Sequence, residues 1–308
     1  MIQYPISLRE LARVVSRRFP TSRNRSGAPR RGGRIAWRER ARHLTERIRI
    51  LHAYTAGDSD EIWRELKPLF AELQGDGKCA FCEKRLDLRK SGRSSGDIEH
   101  YRPKKGVEAW STHHPITVGA SETRCYYLLA FHLRNYLLAC EICNQDYKGN
   151  FFPIAGPRCP ADSPLPRYLI AERPYLPHPL DPNDEDPEQL IEFVGVTPIP
   201  RSEHGTHSYW RAIVTIELLG LTGGTRFDLD YERALVIANL YQALISANPV
   251  DPVAQWTIRG LLDNTQPHRN CARSFKRLFD LNRNTAALAA EQAVTYVESV
   301  QKRRTKPM

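Results

Sequence analysis

Cys79-Ala-Phe-Cys82 and Cys140-Glu-Ile-Cys143 are two C-x-x-C pairs in one chain. Each pair brings two thiolates close enough to grip one cation, and four thiolates in a tetrahedron are what zinc takes in structural centres. The spacing predicts one structural Zn2+ on Cys79, Cys82, Cys140 and Cys143. A redox dithiol is the competing reading, but two matched pairs without a thioredoxin-like pattern speak against it. Residues 83–139 are too many for a minimal zinc finger, so they are expected to fold as an insert between the two knuckles. Seven cysteines, an odd number, behind a start (MIQYPISLRE) with no secretory pattern argue against a disulfide framework. Cys125, Cys159 and Cys271 read as ordinary buried thiols.

Inside the insert runs Gly96-Asp-Ile-Glu-His-Tyr-Arg-Pro-Lys-Lys105. Around the second knuckle runs Arg134-Asn-Tyr-Leu-Leu-Ala-Cys-Glu-Ile-Cys-Asn-Gln-Asp-Tyr-Lys-Gly149. The order C-x-x-C, E-H, N, C-x-x-C-N resembles the HNH endonuclease family, in the form whose ββα-metal core is clamped by two zinc knuckles. The resemblance implies that Glu99 and His100 are the first pair, Asn135 the middle Asn, and Asn144 the last position. Phosphodiester hydrolysis needs an activated water and a cation at the leaving oxygen. A neutral imidazole can take the proton from water, so His100 is the expected general base. Glu99 and Asn144 offer hard oxygens that suit Mg2+ or Mn2+. Asn135 is expected to orient His100 through its other ring nitrogen or to fix the local turn. Lys148, one helical turn beyond Asn144, is placed to hold a phosphate, and Arg102, Lys104 and Lys105 to add phosphate contacts. Asp97 shares the face of Glu99 on a strand and is a further candidate ligand. His113, His114 and His132 lack a matching spacing and are not expected as ligands. Two features depart from the commonest pattern: Glu stands first rather than Asp or His, and an insert at Val107–Thr123 lengthens the gap to Asn135.

The resemblance also has a closer form. C-A-F-C-E, I-E-H-Y-R-P-K, L-L-A-C-x-x-C-N-x-x-x-K-G and Phe152-Pro153 are similar to the HNH nucleases of Septu-type and retron-associated bacterial defence systems. The match is firm over 79–154 and loose over 175–233. It implies an ATPase partner of the ABC or SMC-like type and a role in restricting phage. Two alternatives stay open: a non-catalytic, zinc-scaffolded binding module, and an enzyme that is silent until its partner engages it.

The chain carries a net charge of +10, unevenly spread. Residues 1–50 hold fourteen arginines against three acids, and the remainder is near neutral. Such an excess suits a polyanion, with Arg30 and Arg31 as candidate nucleic-acid contacts and DNA as the expected form. An acidic protein surface or a solvated helix face is the alternative. No stretch approaches the length of a membrane span, so a cytoplasmic protein is expected.

The expected fold class is α+β and mainly helical: a small ββα-metal core clamped by a four-cysteine zinc knuckle, with helical regions on both sides. The expected divisions are a basic arm (1–34), a helical lead-in (35–78), the nuclease core (79–154), a proline-rich connector (155–206) and a C-terminal helical domain (207–308). Apolar spacing predicts helices over 1–20, 35–54, 58–73, 207–219, 230–247, 253–262 and 272–301, and a strand at 190–194. Residues 153–187 hold ten of the twenty-two prolines, which excludes a helix bundle there.

Overall fold

A computed structural model describes residues 1–22, 35–54, 61–88, 96–223, 226–246 and 251–305. Arg30 and Arg31 lie outside the described residues.

Ser7 caps helix α1 (Leu8–Arg18) by accepting from the Glu10 N–H, and the helix buries Leu11 and Val15. Helix α2 (Trp37–Leu51) buries Trp37, Ala41, Leu44 and Ile48, a stripe spaced by three and four. Residues 1–22 are packed rather than free: the Tyr4 and Ile6 N–H groups donate to the Pro179 and Leu180 carbonyls at 2.7 and 3.1 Å. In place of one helix over 58–73, the described residues form a 3-10 turn at Ile62–Leu66 followed by helix α3 (Lys67–Leu73). Pro68 decides this, since proline suits a helix's first turn and not its interior.

Strand β1 (Gly96–His100) pairs antiparallel with β2 (Tyr136–Cys140), with Gly96 opposite Cys140 and His100 opposite Tyr136. A wide π-type helix, Ile142–Lys148, follows directly. The far edge of β2 is satisfied without a third strand: Gln74 accepts from the Leu138 N–H and donates to its carbonyl, both at 2.8 Å. The same carbonyl accepts from Ala80 N–H at 2.9 Å, which ties the first knuckle to β2. Val107 and Glu122 exchange two backbone hydrogen bonds and close the excursion between them.

Within the proline-rich stretch lies the short helix α4 (Pro166–Ala171). Helix α5 (Pro187–Leu190) leads into a hairpin of β3 (Ile191–Val194) and β4 (Thr197–Pro200). Pro198 and Pro200 hide β4 from sequence reading, because prolines are tolerated only at a sheet edge. Helices α6 (His207–Leu218), α7 (Phe227–Ser246), α8 (Pro252–Leu261), α9 (Arg269–Leu281) and α10 (Arg283–Thr305) complete the fold. The helix expected over 272–301 is two helices, because Asn282 turns extended and its side chain caps α10 by accepting from Thr285 N–H. At the end of α6, Gly220 (φ +55°) leaves room for the Tyr147 ring where a Cβ would stand. That contact seats α6 against the π-type helix.

Among the described residues, two hydrophobic cores result. The first runs from α1 through both knuckles to α6 and Leu229; the second holds the rest of α7 with α8, α9 and α10. The division falls within α7, and α6 belongs to the core that carries the cysteines. No described helix is long and apolar enough to cross a membrane.

One buried histidine gives this core a pH dependence. His178 lies under Tyr101, with its Nε2 at 2.7 Å from the Arg134 carbonyl. Burial, first of all, pushes its pKa down to about 4. The unfolded chain, with an ordinary histidine, therefore binds the extra proton first as pH falls. Stability present above pH ~6.5 should be lost as pH falls to about 4, by an upper limit of about 3 kcal/mol. In urea unfolding at pH 7 and pH 4.5, His178→Gln is expected to shrink that loss by about 2 kcal/mol. An equal loss in both proteins would show that His178 is not the group responsible.

Candidate functional site

The four knuckle cysteines come together. Their sulfurs lie within 4.8 Å of one another, and all four residues are buried. Cys82 and Cys140 Sγ are 3.8 Å apart, and the Cys143 N–H points at Cys140 Sγ at 3.4 Å. Local structure explains the meeting. Cys140 is the last residue of β2 and Cys143 lies in the first turn of the π-type helix, while the tight Cys79–Glu83 turn is pinned to β2 through Ala80. Hydrogen bonds, from Cys140 first, hold the Cys82 thiol well below the ordinary thiol range. Arg226 places Nη1 at 3.6 Å from Cys143 Sγ and offsets the negative charge of a thiolate cluster. Four soft donors, buried and converging, fit a tetrahedral Zn2+.

Beside this clip, β1 carries Glu99 and His100, both almost wholly buried. The His100 ring stands edge-on against Trp63 and Tyr136, with centroids at 4.8 and 5.2 Å. Its Nε2 is 3.0 Å from the Ala130 carbonyl. A carbonyl only accepts, so Nε2 carries the proton and Nδ1 keeps the lone pair. Nδ1 faces the Lys104 ammonium at 3.4 Å. Burial, then Lys104, hold the imidazole well below its ordinary pKa, so it is neutral at pH 7. Lys104 itself is held over the Trp63 and Tyr54 rings.

Glu99 already has a cation. Lys148, fully buried, places Nζ 2.5 Å from Glu99 Oε1 and donates to the His100 carbonyl at 3.1 Å. Burial pushes the Glu99 carboxyl above its usual range, against the pull of Lys148. The sequence places Lys148 at a phosphate-facing surface; the structure places it inside, paired with Glu99. Lys148 sits on the π-type helix and Glu99 on β1, so their contact is made by the packing of one element on the other.

Asn135 stands just before β2 and makes no hydrogen bond to the His100 ring. Its side chain accepts from the Arg102 N–H at 2.8 Å and donates to the Arg102 and Leu129 carbonyls. The Asn135 side chain thus bridges the backbone of Arg102 and Leu129. Asn144 is half-buried, and its carbonyl accepts from Gly149 N–H. Asp97 lines a separate polar pocket of about 270 Å³ with Arg64, Lys67, Gly96, Glu141 and Gln145. Arg102 is not free for phosphate, because its Nε is bonded at 2.9 Å to the buried Glu172. Of Arg102, Lys104, Lys105 and Lys148, only Lys105 is exposed.

No family model matches the chain. No solved structure matches it. Over 140 residues it is 30% identical to "Septu protein PtuB" of Bacillus mycoides (strain KBAB4). The match covers 46% of this chain and 41% of that protein, so the chain spans about two-fifths of the length of its curated relative. Over somewhat less than half its length, this chain is similar to a Septu protein.

Proposed function

We propose that the chain is the nuclease component of a Septu-type bacterial antiphage system, acting in the cytoplasm on DNA with an ABC- or SMC-like ATPase as partner. One observation carries the reading: Glu99 and His100 lie side by side on a strand whose partner strand ends in a four-cysteine clip, in a chain similar to a Septu protein. His100 supplies a neutral imidazole with one nitrogen anchored on a carbonyl and the other free of a proton, which is what a general base requires.

A Mg2+ or Mn2+ ion on Glu99 and Asn144 would supply Lewis acidity at the scissile phosphate. It does not fit the described arrangement, because the Lys148 ammonium stands on the Glu99 carboxylate. Ion and ammonium compete for one oxygen, and His100 is nearly sealed from water. In this reading the free chain is closed and its partner opens it. The same burial favours a second reading, a non-catalytic module whose zinc clip only scaffolds contacts.

Supercoiled plasmid incubated with Mg2+ or Mn2+, with the chain alone and with its ATPase, separates the two. Cutting that appears or strengthens with the ATPase is expected. Binding without cutting under every condition assigns the module role.

A further inference from the structure

Two histidines that sequence spacing sets aside meet a carboxylate from elsewhere in the chain. His113 and His114 lie on the excursion closed by Val107 and Glu122; Glu217 lies in the last turn of α6. One ligand atom from each falls within 4.8 Å of the other two. His114 Nε2 is 2.8 Å from Glu217 Oε1, and the two imidazoles lie with centroids 4.1 Å apart. Trp210, on the same α6, walls the His114 ring at 5.2 Å. The excursion is held in place independently: Tyr175 donates to the Thr117 carbonyl at 2.8 Å and Arg158 to that of Ala120 at 3.0 Å. The histidines are thus presented to α6 by a loop with its own anchors.

We propose that His113, His114 and Glu217 form a second metal site, distinct from the cysteine clip, which takes a borderline divalent ion of the Zn2+ class. Two imidazoles and one carboxylate are the donor types such ions prefer over the hard cations. The fit can be checked on distance. Donors about 2.0–2.1 Å from one tetrahedral ion stand about 3.3 Å apart. The His114–Glu217 separation therefore has to open by about half an ångström, within reach of two side chains that solvent still touches. Three protein donors leave one position for water or a ligand oxygen. The ion staples the excursion to α6, and so joins the β1–β2 region to the helix that leads toward the second core. The site stands whether or not the chain is a nuclease.

The test uses the full chain, dialysed against buffered free Zn2+, with bound zinc counted per chain. Wild type is expected to hold two equivalents. His113→Ala and Glu217→Gln should each weaken the second equivalent at least about 100-fold, since even outer-shell losses cost 10–100-fold. His43→Ala, an exposed histidine elsewhere, should hold two. Loading with Co2+ keeps folding separate: the sulfur-to-cobalt band of the clip should be equal in all four proteins. Amide exchange over 109–117 should slow when the second equivalent binds wild type. Wild type that stops at one equivalent, or a second equivalent that survives both substitutions, overturns the proposal.

Discussion

Cys140→Ser, or removal of zinc with a chelator, is expected to cause a large loss of stability. Cys140 is at once the last residue of β2, the register partner of Gly96 and a member of the cluster that includes Cys82 and Cys143. Without an ion, four buried thiols remain crowded, and the Cys79–Glu83 turn keeps only the Ala80 hydrogen bond to β2 and apolar packing among its described contacts with this region. Structural zinc sites are worth about 10–16 kcal/mol in small zinc-finger peptides. In a larger body part of that is offset by packing, so a loss of about 4 kcal/mol and a drop of about 10 °C in Tm are expected. Thermal unfolding with and without chelator, together with zinc counting, checks this. Cys159→Ser serves as the control for losing a buried sulfur away from the cluster. A Cys140→Ser protein with wild-type Tm would remove the clip from the account.

The second large effect concerns Glu99 and Lys148. Lys148→Met leaves the Glu99 carboxylate buried without its cation, and such a change costs about 3–5 kcal/mol. Glu99→Gln together with Lys148→Met removes both charges, and the pair of changes should cost much less than the sum of the singles. Urea unfolding of wild type, both singles and the double measures the coupling. A coupling under about 0.5 kcal/mol would mean that the two groups do not form the pair described. The same variants bear on the competition between ion and ammonium: with Lys148 gone, a divalent ion should protect Glu99-containing protein against unfolding more than it protects wild type.

Much of the core could be read from the chain because its signals are local. A C-x-x-C pair places two sulfurs together whatever surrounds it, and both pairs meet as their spacing implies. The spacing of Leu44 and Ile48 declares helix α2 in the same way, while Leu51, on the same apparent stripe, is exposed. Two helix boundaries carry local signals as well: Pro68 in the first turn of α3, and the Asn282-Arg-Asn-Thr285 cap that separates α9 from α10. The remaining differences come from tertiary contacts. Lys148 reaches Glu99, Arg102 reaches Glu172, and Asn135 grips Arg102, each across a span of sequence that no periodicity covers. Glu217 lies so far along the chain from His113 and His114 that no spacing rule could join them. The contact of Tyr4 and Ile6 with the proline-rich stretch is likewise tertiary and cannot be seen in the charge pattern, and the arginine-dense segment 23–34 lies outside the described residues.

The central claim is that the Glu99–His100 pair breaks phosphodiester bonds. It is tested most directly by plasmid cleavage with the ATPase present, comparing wild type with His100→Ala at equal zinc content and equal Tm. Removing a positioned general base costs about 100-fold or more in rate, so cutting by the alanine protein should fall at least that far while DNA binding is kept. Cleavage by His100→Ala within a few-fold of wild type would contradict the account.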